Sequence, residues 1–95
     1  MNVEFHPEAL REVEDAQAWY EERSLFAASA FLRELSIAVQ RLREAPNRYP
    51  SAEAGTRRIL LKRFPFTIYY RFKRDTLTIV AFAHQKRRPG YWSAR

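Results

Sequence analysis

Arg57-Arg58-Ile59-Leu60-Leu61-Lys62-Arg63-Phe64-Pro65-Phe66-Thr67-Ile68-Tyr69-Tyr70-Arg71-Phe72-Lys73-Arg74-Asp75-Thr76-Leu77-Thr78-Ile79-Val80-Ala81-Phe82-Ala83-His84 is the stretch that decides the fold. Phe66, Ile68, Tyr70 and Phe72 alternate with Thr67, Tyr69, Arg71 and Lys73. Successive strand residues point to opposite faces, so this alternation predicts a half-buried strand. Arg74-Asp75 then predicts a tight turn. Leu77, Ile79, Ala81 and Ala83 predict the next strand, with Val80, Phe82 and His84 on its other face. Upstream, Arg57 to Phe64 reads as a strand around Ile59, Leu60 and Leu61. Short connections make the three an antiparallel meander.

Before Gly55 the apolar period changes from two to 3.6. Leu25, Ala28, Phe31, Leu32, Leu35, Ala38, Val39 and Leu42 form a helical stripe. Ser24 is placed to cap its start, and Pro46 ends it. Pro50, Asn47, Ser51 and Gly55 make residues 46–55 a loop. An earlier helix runs from about Pro7 to Arg23, with Leu10, Val13, Ala16 and Tyr20 on its stripe and Trp19 at the edge. Proline suits the first helical turn, and Glu8 and Glu12 favour the positive end of the helix dipole. Residues 2–6 alternate as a short strand. The expected order is β-α-α-β-β-β, an α+β fold with a helical hairpin on one face of a small antiparallel sheet. The opposite face should be more open and carry Tyr69, Arg71 and Lys73, with His84 at the strand end.

The 95 residues are expected to make a single domain over 1–95. Hydrophobic residues are 46% and aromatics 15%, enough for a packed core and against disorder. There is no cysteine, which excludes disulfides and thiolate metal sites. No stretch has the apolar h-region of a signal peptide or the length of a membrane span, so a cytoplasmic protein without membrane contact is expected. His6 and His84 show no ligand spacing, and two glycines cannot build a phosphate-cradling loop, so no metal or cofactor is expected.

Charge separates the chain into two parts. Residues 1–56 hold six arginines against ten acids, whereas residues 57–95 hold eleven Lys and Arg against one acid, Asp75. A basic half of this kind suggests one docking surface for an anionic partner, either nucleic acid or an acidic protein segment. A plain nucleic-acid-binding module would show the same asymmetry.

Phe64-Pro65-Phe66-Thr67-Ile68-Tyr69-Tyr70 and Ala83-His84-Gln85-Lys86-Arg87-Arg88-Pro89-Gly90-Tyr91-Trp92, behind a helical hairpin with Trp19-Tyr20-Glu21-Glu22 and Ala45-Pro46-Asn47-Arg48-Tyr49-Pro50, resemble the RelE/ParE toxin superfamily. The resemblance covers nearly the whole chain. It implies the toxin of a bacterial type II toxin–antitoxin pair, of the plasmid-stabilisation type, held inactive by a cognate antitoxin. RelE-like members act with the ribosome as endoribonucleases that cut mRNA; ParE-like members inhibit DNA gyrase without catalysis. The resemblance leads with the first activity and keeps the second as its alternative.

For cleavage, a 2′-hydroxyl is deprotonated, phosphate charge is offset and the leaving oxygen is protonated. Arg58 matches the first basic position of RelE-like members, while Leu60 and Thr67 stand where further basic residues occur. Arg88 and Tyr91 supply the C-terminal cation and aromatic, with Trp92 as the other aromatic at hand. Histidine exchanges protons near neutral pH, which makes His84 a candidate proton shuttle. The expected catalytic set is therefore Arg58, His84, Arg88 and Tyr91. Lys62, Tyr69, Arg71, Lys86 and Arg87 are the expected nucleic-acid or target contacts. Each has a plainer reading: His84 as a strand-end hydrogen-bonding residue, Tyr69 as cross-strand packing, Arg57, Arg58, Lys62 and Arg63 as a solvated sheet edge, and Tyr91 and Trp92 as a closure beneath the tail.

Overall fold

A computed structural model describes residues 1–95. Strand β1 (Asn2–Phe5) is followed by helices α1 (Pro7–Arg23) and α2 (Leu25–Glu44), then by β2 (Arg57–Leu60), β3 (Phe66–Lys73) and β4 (Thr76–His84). The α+β order and the helical hairpin are as the sequence predicts. One turn of 3-10 helix, Glu53–Gly55, interrupts the loop that follows α2.

Local chemistry explains the boundaries. His6 Nδ1 accepts the Glu8 N–H at 3.1 Å and caps α1, with Pro7 at its first position. Ser24 Oγ accepts the Ala27 N–H at 3.1 Å and caps α2 as expected. The β3–β4 turn puts Arg74 and Asp75 at φ 50° and 64°, the paired positive φ that a two-residue hairpin requires.

Sheet order is β1-β4-β3-β2. The β2-β3-β4 meander is antiparallel, but β1 pairs parallel with β4 over Asn2↔Thr76 to Phe5↔Ile79. The crossover through the helical hairpin allows that parallel pairing, which hairpin turns cannot provide. Strand β2 ends at Leu60, short of the expected Phe64. Beyond it, the Lys62 and Arg63 N–H groups donate to the Glu34 carboxylate of α2 instead of continuing a ladder.

The principal core lies between the helices and one sheet face. It joins Val13 and Ala16 of α1, Phe31, Leu35 and Leu42 of α2, and Ile59, Ile68, Tyr70, Leu77, Ile79 and Phe82 of the sheet. Tyr70 is fully buried, and its hydroxyl donates to the Pro46 carbonyl. Leu10, Leu25 and Leu32, expected on the buried stripes, are exposed, whereas Ala28 of the same stripe is buried, as is Ala9, which the α1 stripe did not include.

A β-bulge decides which strand residues face the helices. Tyr70 pairs with Ile79, but Tyr69 pairs with Ala81, so Val80 has no partner. The extra residue reverses the alternation beyond it. Phe82 joins the helix-side core, while Val80 and Ala81 pack with the fully buried Trp92 on the opposite face. The expected grouping of Ala81 and Ala83 with Leu77 and Ile79 is therefore wrong. His84 moves with Phe82: it pairs with Phe66, and their rings meet edge to face at 5.4 Å.

Candidate functional site

The tail beyond β4 is a structural strap. Trp92 stacks on Tyr69 with ring centroids 3.7 Å apart and closes a second, smaller core on the face away from the helices. That face is less open than expected. Tyr69 and Trp92 thus pack on each other in that core. The Trp92 Nε1 donor has no partner within the protein.

Glu12 anchors this strap from α1. Its Oε1 accepts the Phe82 N–H at 3.0 Å and Arg95 Nη1 at 2.9 Å. Its Oε2 accepts the Tyr91 hydroxyl at 2.7 Å, Arg95 Nη2 at 3.1 Å and Arg87 Nη1 at 3.4 Å. Arg95 Nη1 also donates to the Val80 carbonyl at 3.1 Å. Strand β1 stops opposite Ile79, so Glu12 and Arg95 satisfy polar groups of β4 that lack a neighbouring strand. Burial pushes the Glu12 carboxyl up, but hydrogen bonds from Arg95, the Phe82 N–H and Tyr91 outweigh it and hold the group below its ordinary range. Tyr91 is pushed far up by burial and by its bond to the Glu12 carboxylate.

The candidate catalytic residues occupy different surroundings. Arg58 sits on β2 opposite Tyr69, on the tail side of the sheet, and reaches the Ser51 carbonyl at 3.5 Å. His84 lies on the helix side at the end of β4, where its Nδ1 accepts the Lys86 N–H at 3.1 Å. That bond is the strand-end role which competes with proton transfer at this nitrogen. Arg88 is exposed in the following loop. Tyr91 is held by Glu12, with the Arg87 guanidinium stacked 3.6 Å from its ring centroid.

The candidate binding residues divide similarly. Arg71 is committed internally: it donates to the Ala54 carbonyl at 2.8 Å and the Arg95 carbonyl at 2.9 Å. Tyr69 is under Trp92, and burial raises its pKa. Arg87 is shared between Glu12 and solvent. Lys62 and Lys86 are exposed.

One continuous cationic face does not form. Arg57, Arg71 and Arg95 hold backbone carbonyls. The exposed remainder lies at two ends of the sheet. Lys62 and Arg63 approach Lys86 and Arg88 because Gln85 N–H bonds the Pro65 carbonyl at 2.8 Å. Lys73 and Arg74 are at the far end of β3, an eight-residue strand and therefore roughly 26 Å away.

Beside the first cationic group is a cleft of about 460 Å³, lined by Asp15, Trp19, Tyr20, Phe66, Phe82 and His84 among others. Trp19 is 51% exposed there and carries the Arg23 guanidinium 3.7 Å from a ring centroid. A cleft with an aromatic wall, two carboxylates (Glu12 and Asp15), the Arg87 guanidinium and one imidazole suits binding of a planar group with polar edges. The sequence marks Trp19 as packing and Glu12 only as a dipole-favouring acid. Nothing local signals Glu12, because Phe82, Tyr91 and Arg95 reach it only through the fold.

The family model described as "ParE toxin of type II toxin-antitoxin system, parDE" matches residues 3–89. Among solved structures, the chain is similar to one described as "Chromosomal ParDE TA system from P. aeruginosa", with a TM-score of 0.76 and 20% identity over 88% of this chain and 95% of that one. At that identity the likeness is one of fold. No curated protein matches the chain.

Proposed function

Because the chain belongs to the ParE toxin family of type II toxin–antitoxin systems, we propose that it arrests growth by binding DNA gyrase without catalysis and that a cognate antitoxin neutralises it. One observation carries this reading over ribosome-dependent mRNA cleavage: the groups needed for cleavage do not converge. Arg58 lies on the tail side, His84 on the helix side, and the Tyr91 hydroxyl is spent on Glu12. General acid–base work needs its groups within hydrogen-bond reach of one substrate. Recognition of a protein needs only surface, and the Trp19 cleft, with Arg87 in its lining and the exposed Lys86 and Arg88 flanking Arg87 in sequence, supplies an aromatic anchor beside positive charge. These residues are our proposed gyrase contacts.

Two assays test it, one in vitro and one on an induced culture. Purified protein should block supercoiling by gyrase, and primer extension should find no new mRNA ends after induction. New ends inside coding regions, with supercoiling intact, would return the protein to the endoribonuclease reading and make ribosome and mRNA its targets.

A further inference from the structure

The cleft beside Trp19 is built by one face of α1 and one end of the sheet. Glu12, Asp15, Ala16 and Trp19 fall three and four residues apart and so share that face. Ala16 at its centre offers only a methyl group, which leaves the concavity open. Across from it, Phe66 and Phe82 stack with centroids 4.6 Å apart, and the His84 ring meets Phe66 edge to face. The volume of about 460 Å³ suits a small ligand. We propose that this cleft binds a free guanine nucleotide, with the base stacked on the aromatic wall, its Watson–Crick edge on Asp15 and its phosphate on the loop after β4.

The polar groups of the cleft choose the base. Glu12 is already filled by the Phe82 N–H, Tyr91 and Arg95. Asp15 pairs with no cation of the protein, so both its oxygens are left to accept. His84 Nδ1 accepts the Lys86 N–H, so the neutral ring carries its hydrogen on Nε2, a donor facing no acceptor of the protein. A matching ligand offers two adjacent N–H donors with an acceptor beside them. Guanine has that edge, with N1–H and the 2-amino group next to O6 and N7. Adenine and cytosine set a lone pair next to one amino group, and uracil sets its N–H between two carbonyls. Each of those edges turns an acceptor toward the carboxylate.

The surrounding charges choose a nucleotide over a bare base, and a free nucleotide over a strand. Arg87 lines the cleft with half its side chain exposed. Lys86 and Arg88 flank it, exposed and without ion pairs. Such a loop holds a phosphate by charge-assisted hydrogen bonds. A strand needs cations along a track, but Lys73 and Arg74 stand at the far end of the sheet. Glu8, Glu14, Glu21 and Glu22 of α1 also repel a polyanion. Nucleotide binding by the isolated protein does not depend on gyrase being its target, although both would use the Trp19 wall.

The probes are GMP, IMP, AMP and guanosine, titrated into the isotope-labelled full chain and followed by NMR. GMP should shift amides of residues 12–20 and 82–88 together with the Trp19 indole N–H, with a dissociation constant of about 0.1 mM. IMP lacks the 2-amino group and guanosine lacks the phosphate; these and AMP should each bind roughly tenfold or more weakly. Asp15→Asn should lower GMP to the affinity of IMP. Trp19→Ala should weaken GMP roughly tenfold by removing the stacking surface. Both side chains are exposed, and the same spectra report whether each variant is folded. No shifts at about 10 mM GMP, equal binding of GMP, IMP and AMP, or unchanged binding by Asp15→Asn would overturn the proposal. So would shifts confined to residues 86–88 that inorganic phosphate reproduces, which mean unselective anion binding. A guanine-bearing tetranucleotide bound more than roughly tenfold tighter than GMP would also overturn it and give the cleft to a strand. The supercoiling assay reads the gyrase proposal separately, so either can fail while the other stands.

Discussion

The Tyr91 hydroxyl donates to Glu12 Oε2 at 2.7 Å and so ties the C-terminal tail to the first helix. The same carboxylate takes both the Arg95 guanidinium and the Phe82 N–H. Glu12 and Arg95 expose only 14% and 15% of their side chains. Breaking such a pair from one side leaves the other charge poorly solvated. Glu12→Ala is therefore expected to cost about 3 kcal/mol of stability, read from the midpoint of urea unfolding at constant slope. A loss below about 0.5 kcal/mol would mean the strap adds little.

The pH dependence follows from the same group. The folded Glu12 pKa lies below its ordinary value of 4.5. Its contribution is thus fully present above the unfolded value and is lost as pH falls through the folded one. Unfolding midpoints should drop on acidification below about 4.5. Glu12→Gln should reduce that drop, and parallel pH profiles for variant and wild type would contradict the assignment.

Tyr91 separates structure from catalysis. Tyr91→Phe keeps the ring beneath Arg87 and removes one hydrogen bond to a charged acceptor. A stability loss of about 1.5–3 kcal/mol is expected. Growth arrest should persist where the variant remains folded. Loss of toxicity without loss of stability would give the hydroxyl a direct role.

Arg58→Ala should leave growth arrest intact, and His84→Ala, which removes one ring from the Trp19 cleft, should weaken it by roughly tenfold at most. Colony counts after induction measure this. A hundredfold loss of killing by either variant, at equal protein level, would point back to chemistry at that residue.

Trp92 tests the second core. It is fully buried against Tyr69, Val80 and Ala81. Trp92→Ala should cost about 3–5 kcal/mol, the range for deleting a large buried aromatic. Near-ultraviolet circular dichroism should also lose the contribution of the stacked pair.

The sequence by itself determined the element order, the caps and the core face of β3. Each of these follows from spacing or from bonds between residues a few positions apart, as with Ser24 and Ala27. It also signalled the family through segments that survive as local patterns. The sequence did not disclose the parallel pairing of β1, the bulge at Val80, or the Glu12 anchor. Bulge placement depends on how β4 twists against both neighbours, and one unpaired residue was enough to carry Phe82 and His84 to the helix side. Charge shows the same division. Composition revealed a basic C-terminal half, but only the fold decided that Arg71 and Arg95 hold carbonyls while Lys62 and Lys86 face solvent. Counting charges sums over the chain, whereas function depends on which of them folding leaves unsatisfied.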